Sequence, residues 1–303
     1  NILTILNNFK LCKKQIEDFQ PDMLLLVDYP GFNLRMAKWA KSKGISVTYY
    51  ISPQIWAWKA SRIKLIKETV DKMYCILPFE KPYYEKAGFD VSYFGHPLID
   101  AKQNYEDQKE STSAKNKAVI AILPGSREQE VKRKLNVMLK ASEKYTEFNI
   151  IVACAPNLPA TFYAQYRQDY PFAEFVFGKT YDLLSIADFA IVTSGTATLE
   201  TAIFRVPQVV CYKSSYLSYK IAKSLVNIRF ISLVNLIMDR EVVVELIQGD
   251  VSKNKIQKEL DQLIYNDSYR YNLLKAYDDM ITLLGNEGCS KKIARDLIGF
   301  YSR

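Results

Sequence analysis

Residues 119–145 have the sequence VIAILPGSREQEVKRKLNVMLKASEKY, which contains the structural unit repeated along the chain. The opening run is apolar and rich in β-branched side chains, so it predicts a buried strand, Val119–Leu123. Pro124 and Gly125 then predict a tight turn, and apolar side chains at helical spacing predict a helix over Glu128–Tyr145. A strand followed by a turn and a helix is the repeating unit of α/β proteins with parallel sheets.

Short apolar or β-branched runs alternate with longer segments of helical period on both sides of this unit. The other predicted strands are Met23–Val27, Ser46–Tyr50, Met73–Leu77, Val91–Phe94, Ile150–Cys154, Glu174–Phe177, Phe189–Val192 and Gln208–Tyr212. The other predicted helices are Leu34–Lys43, Ser61–Thr69, Lys81–Ala87, Leu158–Asp169, Thr196–Phe204 and Leu217–Val226. Continuously apolar strands that alternate with helices predict parallel sheets covered on both faces. No strand is predicted after Tyr212, and the tail Lys253–Arg303 is predicted to be helical.

The length and one change in composition indicate two domains. The chain has 303 residues, of which 49% are hydrophobic and 24% charged, as in ordinary globular proteins. The segment Ala101–Lys117 is polar and almost free of large aliphatic side chains, which predicts a linker. We therefore expect α/β domains over 1–106 and 107–303, with the last helix able to pack back on the first domain. Because the chain begins at Asn1 inside a predicted helix, we also expect the first domain to lack its opening segment.

Charge, cysteine content and missing motifs limit the kinds of partner, compartment and active site that the chain can have. Lys and Arg number 41 against 33 Asp and Glu, a net charge of +8 that favours phosphates, acidic lipid surfaces or nucleic acid as partners. Five scattered cysteines without a CxxC pair predict a reducing compartment and neither a disulfide framework nor a zinc site. No apolar run approaches the roughly 18 residues of a membrane span. The dinucleotide, P-loop and zinc-protease motifs are absent, and a single histidine excludes a two-histidine mechanism.

Three loops of the first half carry candidate functional residues. Asp28 follows the strand Met23–Val27, so its carboxylate would lie at the ligand-binding edge of a parallel sheet and could act as a general base. Capping of the next turn is the alternative. Gln54 and Trp56 follow the second strand and suit contact with a sugar or an acyl chain, although the tryptophan is also a candidate core anchor. His96 is a candidate for the substrate site or a structural loop residue.

Two strand-to-helix turns of the second half could bind phosphate. In the first, backbone N–H groups at a helix start accompany Ser126 and the guanidinium of Arg127. In the second, hydroxyl side chains and a glycine precede a helix start, and Glu200 lies one turn along, within reach of a ribose. Helix capping by the hydroxyl side chains is the alternative in both. The residues of the second turn are Ser194, Gly195 and Thr196.

Six segments, in this order and at these spacings, resemble the lipid-A-disaccharide synthase family. They are VDYPGFN (27–33), YYISPQIWAWK (49–59), ILPFEKPYYEKAGFDVSYFGHPLID (76–100), LPGSREQEV (123–131), SGTATLETA (194–202) and VNLIMDREVVVELIQ (234–248). The resemblance implies a B-type glycosyltransferase fold, with two Rossmann-like domains whose parallel sheets face a central cleft. It also implies transfer from UDP-2,3-diacylglucosamine to 2,3-diacylglucosamine 1-phosphate, with inversion and without cofactor or metal, at the cytoplasmic face of the inner membrane.

The resemblance also implies roles for individual residues. Asp28 takes the position of the family's proposed base, with Asn33 nearby. The implied nucleotide contacts are Ser126, Arg127, Ser194, Gly195, Thr196, Glu200, Asn235, Arg240, Glu241 and Gln248. The chain departs from the family pattern in lacking the opening G-E-x-S-G-D loop, in Met238-Asp239, which replaces a small-Gly pair, and in Val244, which replaces a common proline.

The sequence leaves three alternatives to this function open. One is another UDP-sugar enzyme of the same fold, a glycosyltransferase or an epimerase. A second is a catalytically impaired fragment, and a third is an inactive protein that binds an anionic membrane or nucleic acid. Basic residues spread over the whole chain argue against nucleic acid, because an RNA-binding surface needs a continuous basic stripe with exposed aromatic side chains. A homodimer is compatible with the sequence.

Overall fold

Parallel strands alternate with helices throughout the structure, a computed structural model that describes residues 2–109, 117–215, 219 and 229–302. The chain divides into two units, Asn1–Pro97 with Gly288–Arg303, and Leu98–Glu287. Each unit contains one sheet, and every strand pair in both sheets is parallel. The predicted α/β class with parallel sheets is therefore confirmed.

The first unit has a sheet of four strands in the order β1-β2-β3-β4. The strands are β1 (Met23–Val27), β2 (Ser46–Tyr50), β3 (Lys72–Cys75) and β4 (Ser92–Tyr93). The helices are α1 (Ile2–Phe19), α2 (Pro30–Ser42), α3 (Arg62–Thr69), α4 (Glu80–Lys86) and, from the C-terminal end of the chain, α13 (Cys289–Tyr301). The core forms where buried side chains of β2 and β3, such as Val47 and Met73, pack with Leu34 and Met36 of α2.

The last helix of the chain, α13, is held to the sheet of the first unit by polar contacts. The hydroxyl of Tyr74 donates to the carboxylate of Asp296 at 2.9 Å, and the ammonium of Lys72 lies 2.9 Å from the same carboxylate. The thiol of Cys289 donates to the carbonyl oxygen of Gly95 at 3.1 Å. These contacts explain why the C-terminal residues belong to the first unit.

The second unit has a sheet of six strands in the order β10-β9-β8-β5-β6-β7. The strands are β5 (Val119–Leu123), β6 (Asn149–Cys154), β7 (Ala173–Phe177), β8 (Phe189–Thr193), β9 (Gln208–Tyr212) and β10 (Glu245–Ile247). The helices are α5 (Pro97–Gln108), α6 (Glu128–Ser142), α7 (Ala164–Asp169), α8 (Thr180–Ile186), α9 (Thr196–Ile203), α10 (Leu233–Met238), α11 (Lys253–Tyr265) and α12 (Asp267–Leu284). Side chains of β5 and β8 are buried along their whole length, as their continuous apolar runs predict.

Two predictions of secondary structure are wrong. The strand β10 exists after Tyr212 and pairs with β9, and it was missed because it is short and contains a glutamate. The first part of the predicted linker Ala101–Lys117 is the helix α5, none of whose side chains is buried, so its composition is as polar as that of a loop. The two units divide between Pro97 and Leu98, and the domain boundary at 106 stays a prediction. The predicted helix Leu217–Val226 lies outside the described residues, apart from Tyr219.

No helix in the described part of the chain is both long enough and apolar enough to cross a membrane.

Candidate functional site

A cavity of about 260 Å³ opens at the carboxyl ends of the central strands of the second unit. Its walls include the turns that follow β5 and β8. These two strands are neighbours in the sheet, and the chain order runs away from them in opposite directions, through β6 and β7 on one side and β9 on the other. This arrangement is a topological switch point, where open α/β sheets bind their ligands. The cavity therefore lies where the fold predicts a ligand.

The turn after β5 requires a glycine at position 125. Gly125 has φ of +112°, and a Cβ atom on it would lie 2.7 Å from a carboxylate oxygen of Glu130. The turn directs Ser126 and Arg127 to the solvent, and the side chain of Arg127 is 82% exposed, with one ion pair to Glu130 at 3.3 Å. Ser126 lines the cavity, whereas Arg127 does not, and the exposed guanidinium of Arg127 lies beside the first turn of α6.

The turn after β8 places small residues at the first turn of α9. Gly195 has φ of +141° and precedes the helix, so the backbone approaches the cavity without a side chain in the way. Thr196 is exposed, whereas the hydroxyl of Ser194 donates to the carbonyl oxygen of Ile231 at 3.1 Å. The first N–H groups of a helix have no partner within the helix and attract anions. Both predicted phosphate turns thus line one cavity.

Glu200 brings a carboxylate to the same cavity from the second turn of α9. The hydroxyl of Tyr181 donates to it at 3.1 Å, and burial raises the pKa of Glu200. A carboxylate at this depth can accept hydrogen bonds from the hydroxyl groups of a sugar.

Asp28, in the first unit, is held through its backbone while its carboxylate is exposed. Asp28 and Tyr29 both have left-handed backbone conformations, with φ of +47° and +45°. The amide of Asn33 donates to the carbonyl oxygens of Val27 at 2.9 Å and Asp28 at 2.7 Å, and the hydroxyl of Tyr49 donates to the latter at 2.5 Å. No described residue donates a hydrogen bond to the carboxylate, which leaves it available to a substrate hydroxyl.

The family model described as lipid-A-disaccharide synthetase matches residues 1–296 of the chain. The chain belongs to this family. It is 39% identical to the lipid-A-disaccharide synthase of Syntrophus aciditrophicus (strain SB) over 303 residues, which cover 97% of this chain and 78% of the relative. It is also 39% identical to lipid-A-disaccharide synthase 1 of Legionella pneumophila (strain Philadelphia 1) over 269 residues, 86% of this chain and 70% of the relative.

Solved structures show that this member of the lipid-A-disaccharide synthase family has the B-type glycosyltransferase fold. The co-structure of Staphylococcus aureus MnaA with UDP matches with a TM-score of 0.69 at 13% identity, over 98% of this chain and 79% of the other. The calicheamicin glycosyltransferase CalG4 matches with a TM-score of 0.61 at 13% identity, over 100% of this chain and 82% of the other. At such low identity the likeness concerns the fold alone.

Asn235, an implied nucleotide contact in this family, is fully buried and braces the backbone. Its side-chain oxygen accepts from the N–H groups of Val242 at 2.8 Å and Val243 at 2.9 Å. Its amide donates to the carbonyl oxygen of Val243 at 2.8 Å and to the carboxylate of Glu245 at 2.9 Å. That carboxylate also accepts from the N–H groups of Ile231 and Ser232. The carbonyl oxygen of Ile231 in turn accepts from the hydroxyl of Ser194. Asn235 is thus linked to the cavity through a chain of hydrogen bonds.

Five of the implied nucleotide contacts do not line the cavity: Arg127, Asn235, Arg240, Glu241 and Gln248. Arg240 and Glu241 are exposed after Asp239, which ends α10 in a left-handed conformation with φ of +47°. Glycine adopts that conformation at the least cost, so Asp239 is a strained residue here. The side-chain oxygen of Gln248 accepts from the N–H group of Ser214 at 2.8 Å and so holds the chain beyond β9.

The other predicted residues of the first unit differ in exposure. Gln54 is exposed, whereas the indole N–H of Trp56 donates to the carboxylate of Glu80 at 3.0 Å. Glu80 is buried, and burial raises its pKa. His96 is 3% exposed, and burial lowers its pKa to about 4, so its imidazole is neutral at physiological pH.

Sequence reasoning missed two carboxylates that organise these loops, Glu80 and Glu245. Glu80 accepts from the N–H groups of Ile76 and Leu77 as well as from Trp56. The carboxylate of Glu245 accepts hydrogen bonds from the backbone N–H of Ile231 and the side chain of Asn235. For Glu245 there was a signal, because it is a charged residue within an apolar run and such a residue needs a partner even when it is only partly buried, as Glu245 is.

Proposed function

We propose that this protein joins UDP-2,3-diacylglucosamine to 2,3-diacylglucosamine 1-phosphate and so forms lipid A disaccharide 1-phosphate and UDP. The observation that carries the proposal is membership of the lipid-A-disaccharide synthase family over nearly the whole chain. The cavity at the switch point of the second unit supports it, because its two phosphate turns and Glu200 suit a UDP-sugar. The test is to incubate the protein with the two purified lipids and to measure whether disaccharide and released UDP form in equal amounts.

In the proposed reaction Asp28 is the general base. Its carboxylate accepts the proton of the acceptor 6-hydroxyl as that oxygen attacks the anomeric carbon of the donor sugar. The bond between the anomeric carbon and the phosphate oxygen breaks, and its electron pair leaves with UDP. Attack from the face opposite the leaving group inverts the anomeric carbon and gives a β-1′,6 linkage.

The leaving diphosphate would be stabilised by the second unit. Negative charge grows on the phosphate oxygen as the glycosidic bond breaks, and donors already in place stabilise that charge best. Arg127 supplies a fixed positive charge, and the helix start at Thr196 supplies N–H groups. In this proposal four further residues shape or flank the loops that bind the nucleotide: Asn235, Arg240, Glu241 and Gln248.

The lipid substrates and the net charge of +8 favour peripheral association with an anionic membrane surface. We place that surface at the cytoplasmic face of the inner membrane, where both substrates would be presented together.

Replacing Arg127 with Ala is expected to weaken UDP binding about tenfold or more. A hydrogen bond to a charged group contributes about 1.5–3 kcal/mol, and a factor of ten in affinity corresponds to about 1.4 kcal/mol. The rise in the thermal midpoint with UDP concentration measures the affinity. Arg295→Ala, which removes an exposed guanidinium of the first unit, is the matched control. Equal protection of Arg127→Ala and the unaltered protein by UDP would remove Arg127 from the nucleotide site.

A further inference from the structure

A second cavity, of about 600 Å³, adjoins the first along the side of α6. The two cavities share wall residues, Glu130, Thr193 and Ser194. Its charged lining consists of four basic side chains, Arg127, Arg133, Lys134 and Lys213, against two acidic ones, Glu128 and Glu130. Both carboxylates already have basic partners: Glu130 pairs with Arg127 at 3.3 Å, and Glu128 pairs with Lys132 at 2.5 Å. The cavity therefore keeps an excess of positive charge.

Lys134 is the unusual member of this lining. Lys134 is only 2% exposed and lines the cavity. Within the described residues its ammonium forms no hydrogen bond or ion pair, and the carboxylate of Glu130 acts on it only electrostatically. Burying an ammonium without a partner is costly, and lysine is almost never fully buried unless it is paired. A bound anion would supply the missing partner.

Thr193 is a second group without a partner on the same wall. Its hydroxyl is buried and has no hydrogen-bond partner among the described residues. Thr193 lines both cavities, so a ligand that enters the second cavity from the first passes it. Two polar groups that lack partners, on neighbouring elements, mark a place prepared for a polar ligand.

We propose that Lys134 and Thr193 form a phosphate-binding subsite beside the switch-point cavity. The phosphate is either the terminal phosphate of a nucleoside diphosphate in the first cavity or a separate phosphate group bound next to it. Arg133 and Lys213 add positive charge at the rim. The subsite is defined by binding and not by glycosyl transfer, so it stands or falls separately from the proposed activity.

The charge of Lys134 depends on pH near neutrality. Burial lowers the pKa of Lys134 to about 8, with Arg133 acting in the same direction and Glu130 opposing. On the neighbouring strand β9, burial raises the pKa of Cys211 to about 12, so its thiol stays neutral. Because phosphate binds the ammonium form, its affinity is expected to fall as the pH rises through about 8.

Calorimetric titration of the full chain with inorganic phosphate, UMP and UDP at pH 7 and pH 9 tests the proposal. Lys134→Met keeps the length of the side chain and removes its charge, and Lys140→Met, at an exposed position of α6, is the matched control. We expect Lys134→Met to weaken the binding of UDP or of inorganic phosphate at pH 7 by about tenfold or more. We also expect the unaltered protein, and not Lys134→Met, to lose about tenfold in affinity between pH 7 and pH 9.

The three ligands distinguish the source of the phosphate. If Lys134 holds the terminal phosphate of the nucleotide, Lys134→Met weakens UDP and leaves UMP unchanged. If it holds a separate phosphate, inorganic phosphate binds in the presence of UDP, and only phosphate binding is lost in the variant. Unchanged affinity of Lys134→Met for both UDP and phosphate, in a protein that unfolds cooperatively, would overturn the proposal.

Discussion

Asp28→Asn is expected to lower kcat for disaccharide formation by about 100- to 10,000-fold, the usual contribution of general acid–base catalysis. An amide cannot accept the proton of the acceptor hydroxyl. The loop itself should persist, since the contacts that hold Asp28 involve its backbone: its N–H donates to the carbonyl oxygen of Tyr50, and its carbonyl oxygen accepts from Asn33 and Tyr49. Asparagine also tolerates the left-handed conformation better than most residues.

The measurement for Asp28 is a comparison of kcat with UDP affinity in the same preparation. Asp28 belongs to the first unit, so UDP should protect Asp28→Asn against heat as well as it protects the unaltered protein. Asp22→Asn, which removes an exposed carboxylate just before β1, is the matched control and should keep full activity. Full activity of Asp28→Asn would show that another group takes the proton.

Asn235→Ala is expected to destabilise the second unit by about 3–5 kcal/mol. The substitution leaves the N–H groups of Val242 and Val243 and the carbonyl oxygen of Val243 without their side-chain partner, and each such buried group costs about 1–3 kcal/mol. Glu245 loses a donor as well, which loosens the segment that holds Ser194. The same variant should therefore be protected less by UDP.

Calorimetric unfolding of the full chain measures this loss, with the transitions of the two units analysed separately. Asn104→Ala, at an exposed position of α5, is the control and should change the stability by less than about 0.5 kcal/mol. A loss below about 1 kcal/mol for Asn235→Ala would mean that water or a rearranged backbone replaces its hydrogen bonds.

Much of the fold could be predicted from the sequence because the strands are continuous apolar runs between residues that form turns. The predicted bounds of Met23–Val27, Ser46–Tyr50, Val119–Leu123 and Gln208–Tyr212 are those observed. The helix α5 was not predicted, because a helix without buried side chains has no apolar period to detect.

The candidate site was less predictable, because the role of a side chain depends on partners that the fold brings together. The resemblance implied that Asn33 and Asn235 contact substrate. In the structure their side-chain amides form hydrogen bonds with neighbouring backbone groups. Both partners lie near in the chain, but only the folded loop shows that the hydrogen bonds are used. Lys134 follows Val131 by three residues on α6 and so had a signal, a charged residue on the buried face of a helix.

The most direct test of the proposed activity is incubation of the full chain with UDP-2,3-diacylglucosamine and 2,3-diacylglucosamine 1-phosphate, followed by mass spectrometry of the lipids and quantification of UDP. We expect one β-1′,6-linked disaccharide 1-phosphate for each UDP released, and no product when either lipid is omitted. Release of UDP without disaccharide, or binding of UDP without any turnover of the two lipids, would contradict the proposed glycosyl transfer.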